Sequence, residues 1–197
     1  MIGGEKEESR MIKRIKEAKV NKDTVGGIFE VMAKNVPIGL GTYVHWDRRL
    51  DARLAEAIAS IPGIKALEFG LGLGFGQRFG SQVHDAIYYS KQKGFYRKTN
   101  HAGGIEGGVT NGQPIIIRAC MKPISTLINP LDSVNIRTKR PAKAAVERSD
   151  ICVVEAAAVI AEGACAFVLC DACIEKFGSD SLTDIKKAFQ DYQKRLR

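Results

Sequence analysis

Histidine, paired cysteine and uninterrupted apolar sequence are all scarce in this chain of 197 residues. His45, His84 and His101 are the only histidines, and no cysteine or carboxylate stands near them at a metal-ligand spacing. No metal site is expected, and each histidine reads first as a surface or hydrogen-bonding residue. The five cysteines (Cys120, Cys152, Cys165, Cys170 and Cys173) are an odd set in apolar surroundings, which argues against a disulfide framework. Cys170-Asp171-Ala172-Cys173 has the spacing of a redox or zinc pair. It has no second pair to match it, and in an alanine-rich stretch cysteine acts as a small buried hydrophobe. The first ten residues are charged and lack the apolar core of a signal peptide. The most apolar stretch, residues 151–177, is interrupted by Glu155, Glu162, Asp171 and Glu175, so no membrane span is expected and the cytoplasm is the expected location. No repeat at a fixed short period is visible.

What is present is ordinary in proportion: 45% hydrophobic and 26% charged residues, as in a soluble globular protein. The length suits one domain, residues 1–197, with a substantial core. Lysine and arginine total 30 against 22 acidic residues, a formal charge of +8 that attracts anions. Sign alone does not choose among nucleic acid, acidic lipid and a phosphorylated or carboxylated small molecule. Lys139-Arg140 is read as the densest internal pair after the termini, with no basic run interleaved with aromatics, so nucleic acid is not expected.

Met11, Ile15 and Ala18 recur at helical spacing and predict an amphipathic helix over 5–19. Residues 23–34 read as β, with Val25, Ile28, Phe29, Val31 and Met32. Asp47 is placed to cap a helix that carries Leu50, Leu54, Ala57, Ile58 and Ile61 on one stripe. Pro62-Gly63 ends it, and 64–69 is a strand. Residues 70–112 hold 11 of the 20 glycines and read as a long loop, the kind usually functional or disordered. Asn111-Gly112 is a tight-turn signal before the run Ile115, Ile116, Ile117, and Pro114 must stand at that strand's start or on an edge. Asp150 is placed to cap a helix of about seven turns ending at Gly178, apolar nearly all round and so expected between two layers. A short charged helix closes the chain over 181–197. Helices and strands in this order predict the α+β class.

Four segments invite chemistry. Gly70-Leu71-Gly72-Leu73-Gly74-Phe75-Gly76 fails the dinucleotide fingerprint, because position six is Phe75 or Gln77 and no clear helix follows. His101-Ala102-Gly103-Gly104-Ile105-Glu106-Gly107-Gly108 strips side chains from a backbone path, either to let amides approach a planar or anionic ligand or to make a turn. Lys122-Pro123-Ile124-Ser125-Thr126 combines a cation, a rigid kink and two hydroxyls, which suits a phosphate or simply a solvated strand end. Arg148-Ser149-Asp150 opens the long helix, where Asp150 serves as an N-cap or as a readily ionised carboxylate.

These segments resemble chorismate synthase. The stretch from Asn100 to Gly108, the Asn111-Gly112 turn, Lys122-Pro123 and Arg148-Ser149-Asp150 occur in that family's order and approximate spacing. So do Asp23-Thr24-Val25-Gly26-Gly27, Val36-Pro37-Ile38-Gly39-Leu40-Gly41 and Gly80-Ser81-Gln82-Val83-His84-Asp85. The resemblance runs from about residue 11 to 177 and corresponds to the C-terminal half of the family's chain. It implies a partial β-α-β sandwich of antiparallel strands around buried helices. It implies a lyase of the shikimate pathway to aromatic amino acids, removing phosphate and a proton from 5-enolpyruvylshikimate 3-phosphate with reduced FMN, for which NADPH is a possible source. By the same resemblance Asp150 is the carboxylate that helps the substrate proton leave. Arg148 is a flavin- and substrate-side arginine; Gly107, Lys122, Pro123, Ile124, Ser125 and Thr126 belong to the FMN cradle; Pro62 and Gly63 fall at a flavin-contacting loop.

The sequence departs from the family at Ile151, where Pro commonly precedes Cys152, at Ser149, where histidine is common, and at Glu155-Ala156, where Pro-Arg is common. The family's N-terminal signatures have no counterpart, and Gly3-Gly4-Glu5 is too short to stand for them. The expectation is therefore a chain inactive alone, completed by a partner chain or working in a homotetramer. Non-catalytic assembly, one chain of a split enzyme and an anion-binding fragment are the alternatives. A further expectation is that the helix over 151–177 leaves an apolar face exposed or covered by another chain.

Overall fold

The computed structural model describes residues 4–196; residues 1–3 of the charged N-terminal stretch and Arg197 lie outside the described residues. In chain order the elements are α1 (Glu5–Val20), β1 (Gly27–Ala33), α2 (Leu50–Ala59), β2 (Ile64–Phe69), α3 (Gly80–Val83), β3 (Ile87–Ser90), β4 (Gly94–Arg97), β5 (Ile105–Glu106), β6 (Val109–Thr110), β7 (Ile115–Met121), β8 (Asp132–Val134), β9 (Pro141–Lys143), α4 (Val154–Phe177) and α5 (Leu182–Arg195). Short 3-10 turns stand at Trp46–Arg48 and Gly72–Gln77. This is the expected α+β class, and every strand pair is antiparallel.

β7 is the centre of the main sheet, in the order β1-β7-β2. Its period of two turns Ile115, Ile117 and Ala119 to the core, where Val31 and Phe69 flank Ile117 from either side. Pro114 stands just before the strand, where its missing N–H breaks no ladder. One face of the sheet is covered by helices. Leu50, Leu54 and Ile58 of α2 are fully buried, as are the small residues Ala161 and Ala172 of α4. Each of the large α2 side chains contributes about 1.5–3 kcal/mol by leaving water. Phe177 meets Phe189 and Tyr192 edge-on and fixes α5 against the end of α4. Ser181 caps α5 by accepting from the Asp184 amide at 3.2 Å.

Several expectations change. α1 forms but buries no residue, and Met11 lies exposed. Asp47 lies within the first 3-10 turn rather than capping α2, whose first amide (Leu50 N) donates instead to the Gly108 carbonyl at 2.9 Å. Residues 70–112 are not one irregular loop: they contain a 3-10 turn, α3 and the hairpins β3–β4 and β5–β6. The turn after β2 leads to no long helix, in keeping with the failed dinucleotide fingerprint.

Asp150 does not cap α4. That helix starts at Val154 with Val153 at its cap, because residues 149–151 are held elsewhere: Ser149 Oγ donates to the Thr126 carbonyl at 2.9 Å, and Val25 N to the Ile151 carbonyl at 2.9 Å. α4 is also covered on one side only. Phe167 (77%), Val159 (68%) and Ile160 (57%) are exposed, so this chain supplies one of the two layers its apolar surface calls for. By length and composition alone α4 is apolar enough to cross a membrane (mean hydropathy 1.9). The stripe from Ala157 to Phe177 nevertheless joins the core formed with the sheet and α2.

Candidate functional site

The C-terminal end of β7 gathers most of the residues singled out from the sequence. Pro123 has no N–H to extend the ladder, so the strand stops and its continuation turns away. Lys122 N donates to the Gly63 carbonyl at 2.9 Å, which joins the Pro62-Gly63 turn to this point. Gly63 has φ 91°, a conformation that favours glycine. On the other side Gly26 leaves room for direct backbone packing: a Cβ there would run into the Met121 carbonyl and the backbone of Lys122 and Pro123. Thr24 Oγ1 donates to the Ile124 carbonyl at 2.6 Å. With Ser149 on Thr126 and Val25 on Ile151, segments 24–27, 121–126 and 149–151 form one hydrogen-bonded cluster.

The bonds that build this cluster use backbone carbonyls. Among the described residues, the side chains of Lys122, Ser125, Thr126, Arg148 and Asp150 make no intrachain hydrogen bond or ion pair, and all but Thr126 belong to exposed residues. Two free cations, two free hydroxyls and a carboxylate on a fixed backbone can hold a phosphate or carboxylate ligand, with the carboxylate available for a proton. The donor set therefore fits a phosphorylated nucleotide such as FMN.

Gly107 stands apart from this cluster. β5 and β6 are joined by Gly107-Gly108, whose φ values of 61° and 88° are those of a type I′ two-residue turn. The hairpin is tied to the opposite end of β7, since Ile116 N donates to the Gly103 carbonyl at 3.1 Å and Gly104 packs on Pro114. A seven-residue strand spans roughly 20 Å at the ordinary rise, so the hairpin of Gly107 and Lys122 are anchored at opposite ends of β7. Most glycines here serve the protein's own packing. A Cβ on Gly103 would strike the Gly70 backbone, on Gly104 the Pro114 carbonyl and on Gly108 the Thr42 carbonyl. Gly107 alone of the four faces open space.

Asp85 organises this end, and the sequence reading gave it no role of its own. Its side chain is fully buried. Oδ1 accepts from Thr99 Oγ1 at 2.5 Å and from His101 N at 2.9 Å, and Oδ2 from Ala102 N at 2.9 Å. Burial works against the charge, yet the Ala102 amide, the Thr99 hydroxyl, the His101 amide and the nearby His101 ring outweigh it, and the pKa lies below the ordinary carboxylate value. The only early signal was its place in the segment from Gly80 to Asp85.

The hairpin β3–β4 corrects another reading. Tyr88, Tyr89, Phe95 and Tyr96 alternate with Lys91, Lys93, Arg97 and Lys98, a basic and aromatic run that the sequence reading passed over. Lys98 lies over the Tyr88 ring at 4.2 Å and Lys93 over Tyr96 at 5.3 Å, while Arg97 pairs with Glu106 at 2.6 Å. A shallow concavity of about 370 Å³, lined by Trp46, Arg49, Asp51, Ala52, Ala55 and Phe69, contains none of the sequence-predicted site residues. No cluster of three or more histidine, cysteine or carboxylate side chains suits a metal among the described residues.

The family model described as chorismate synthase matches residues 2–174. A protein named chorismate synthase from Thermoanaerobacter pseudethanolicus is 54% identical over 191 residues, covering 97% of this chain and 55% of the relative. One from Geobacter sulfurreducens is 53% identical over 197 residues, covering 96% of this chain and 50% of the relative. A solved structure titled as a crystal structure of chorismate synthase superposes with a TM-score of 0.80 at 42% identity, covering 95% of this chain and 48% of that one. The chain thus spans about half the length of the relatives it matches.

Proposed function

This chain belongs to the chorismate synthase family, and from that premise we propose that it is the C-terminal, flavin-holding half of such an enzyme, folded as one domain. The reaction is the 1,4-elimination of phosphate from 5-enolpyruvylshikimate 3-phosphate to give chorismate in the cytoplasm. The observation that carries this reading is the cluster at the C-terminal end of β7, where Lys122, Ser125, Thr126, Arg148 and Asp150 have unused side chains on a fixed backbone.

Reduced FMN, when bound, would supply the transient electron and receive the substrate proton. Lys122 and the Ser125 and Thr126 hydroxyls hold its phosphate and ribityl chain, with Pro62, Gly63, Pro123 and Ile124 shaping the backbone around them. Arg148 adds charge on the substrate side, and Asp150 takes up a proton next to the ring. Gly107, at the far end of β7, reaches a flavin only from a neighbouring copy or after the complete assembly forms.

The open face of α4 supports a second element of the reading: a further layer, supplied by the N-terminal half of the family's fold or by a partner chain in a homo-oligomer, covers Val159, Ile160 and Phe167. Among the described residues, the cluster at the end of β7 offers two cations, two hydroxyls and one carboxylate but no histidine as a separate general acid for the leaving phosphate, so no turnover is expected from this chain alone. The test is anaerobic phosphate release with reduced FMN and 5-enolpyruvylshikimate 3-phosphate, with and without an added N-terminal half of a family member. Release only from the mixture supports the proposal. Release from the chain alone, or none from a mixture that associates at micromolar concentration, overturns it.

A further inference from the structure

Resting on the flavin reading above, we propose that Asp85 is a positioning residue for the flavin site, fixing residues 99–104 so that the Gly107-Gly108 turn is presented at a set place without Asp85 touching the ligand. Asp85 has no lysine or arginine partner among the described residues. Its carboxylate is spent on the Thr99 hydroxyl and the amides of His101 and Ala102. His101 Nδ1 lies 3.7 Å from Oδ1 but 3.1 Å from the Val83 carbonyl, and a carbonyl only accepts, so that nitrogen carries the hydrogen and points it at Val83. The carboxylate therefore works as a backbone organiser, the arrangement that aligned N–H groups favour.

From there a chain of short contacts leads to the turn. Asn100, between two residues held by Asp85, accepts from Gly104 N at 2.9 Å and donates to the Pro114 carbonyl at 2.8 Å. This settles where Ile105 enters its strand. Next to the turn, Glu106 Oε2 accepts from Arg97 Nη2 at 2.6 Å and from Asn111 Nδ2 at 2.7 Å, clamping both arms of the hairpin. Every one of these bonds is made within the protein's own chain. The remaining outward element is Gly107, whose α-carbon faces open space. A scaffold that spends a buried carboxylate, an asparagine and a glutamate to fix a two-residue turn presents that turn to something.

The test uses the 197-residue chain assembled with the N-terminal half of a family member, the state in which the Gly107 turn can reach a flavin, carrying Asp85→Asn or the milder Thr99→Ala. FMN affinity is measured by flavin fluorescence well below the melting temperature of each variant, and amide hydrogen exchange is followed at His101 and Ala102. Asp85→Asn replaces one of the two acceptor oxygens by an NH2 that would meet an amide donor to donor and removes the charge, so affinity is expected to fall roughly tenfold or more, with faster exchange at 101 and 102. Thr99→Ala is expected to lower affinity about threefold through the one lost hydroxyl. A lowered melting temperature with wild-type affinity in Asp85→Asn shows a merely structural role and overturns the proposal. Should Asp85→Asn fail to fold, wild-type affinity and exchange in Thr99→Ala overturn it equally. A wild-type mixture that fails to assemble or to bind FMN sinks the flavin reading itself, and this inference with it.

Discussion

The two ends of β7 are built on opposite plans. At its C-terminal end the backbone is pinned by carbonyl acceptors while Lys122, Ser125, Thr126, Arg148 and Asp150 keep their side chains free. At its N-terminal end nearly every polar group is already used: Asp85, Asn100 and Glu106 bind their own chain, and three of the four glycines of the Gly103 to Gly108 stretch are filled against neighbouring backbone. One end is satisfied by the protein and the other is left for something else. The comparison teaches that glycine density alone does not mark a ligand site, because close approach of the chain to itself needs glycine just as a ligand does.

Glycine substitutions should break the comparison most visibly. Gly103→Ala places a Cβ against the Gly70 backbone at φ 65° and is expected to cost about 3–5 kcal/mol. Gly107→Ala has the same sign of φ but open space, and is expected to cost only about 1–2 kcal/mol. Denaturant midpoints measure both, and equal costs would mean the two glycines are not in different surroundings. Acid should then loosen the Asp85 end. Because Asp85 has a lowered pKa when folded, its contribution is present above the unfolded value and is lost as the pH falls below about 4. Amides 101 and 102 should lose protection in that window, and in Asp85→Asn the window should vanish; persistence of the acid step in that variant would contradict the assignment. The smallest effect is on the stability of the other end: Lys122→Ala and Arg148→Ala remove exposed, unpaired cations and should shift stability by less than about 0.5 kcal/mol. A larger thermal shift for either would show a structural partner.

Much of the sheet was legible from periodicity. The strand over 64–69 is β2 to the residue, and the apolar run after Pro114 is the central strand, because alternation and turn residues are local signals. The caps assigned to Asp47 and Asp150 were misplaced for a non-local reason: Leu50 N finds the Gly108 carbonyl, and residues 149–151 are held by Thr126 and Val25. Asp85 was hidden in the same way, with partners 14 to 17 residues away. The basic and aromatic run from Tyr88 to Lys98 is legible in the sequence, with Arg97-Lys98 side by side; what needs the fold is the stacking of Lys98 on Tyr88 and Lys93 on Tyr96 across the hairpin. In the candidate site, the family resemblance implied that Gly107, Lys122 to Thr126, Arg148 and Asp150 serve one flavin; the fold ties the 149–151 segment to Thr126 and Val25 beside Lys122, and anchors the hairpin of Gly107 at the other end of β7.

The central claim is that the C-terminal end of β7 holds a flavin by its phosphate. Parallel titration of the chain with FMN and with riboflavin, which lacks that phosphate, tests it most directly. The account predicts that FMN binds roughly tenfold or more tightly and that Lys122→Ala with Arg148→Ala erases the difference. Equal affinity for the two flavins, or a preference for FMN that survives both substitutions, would contradict it.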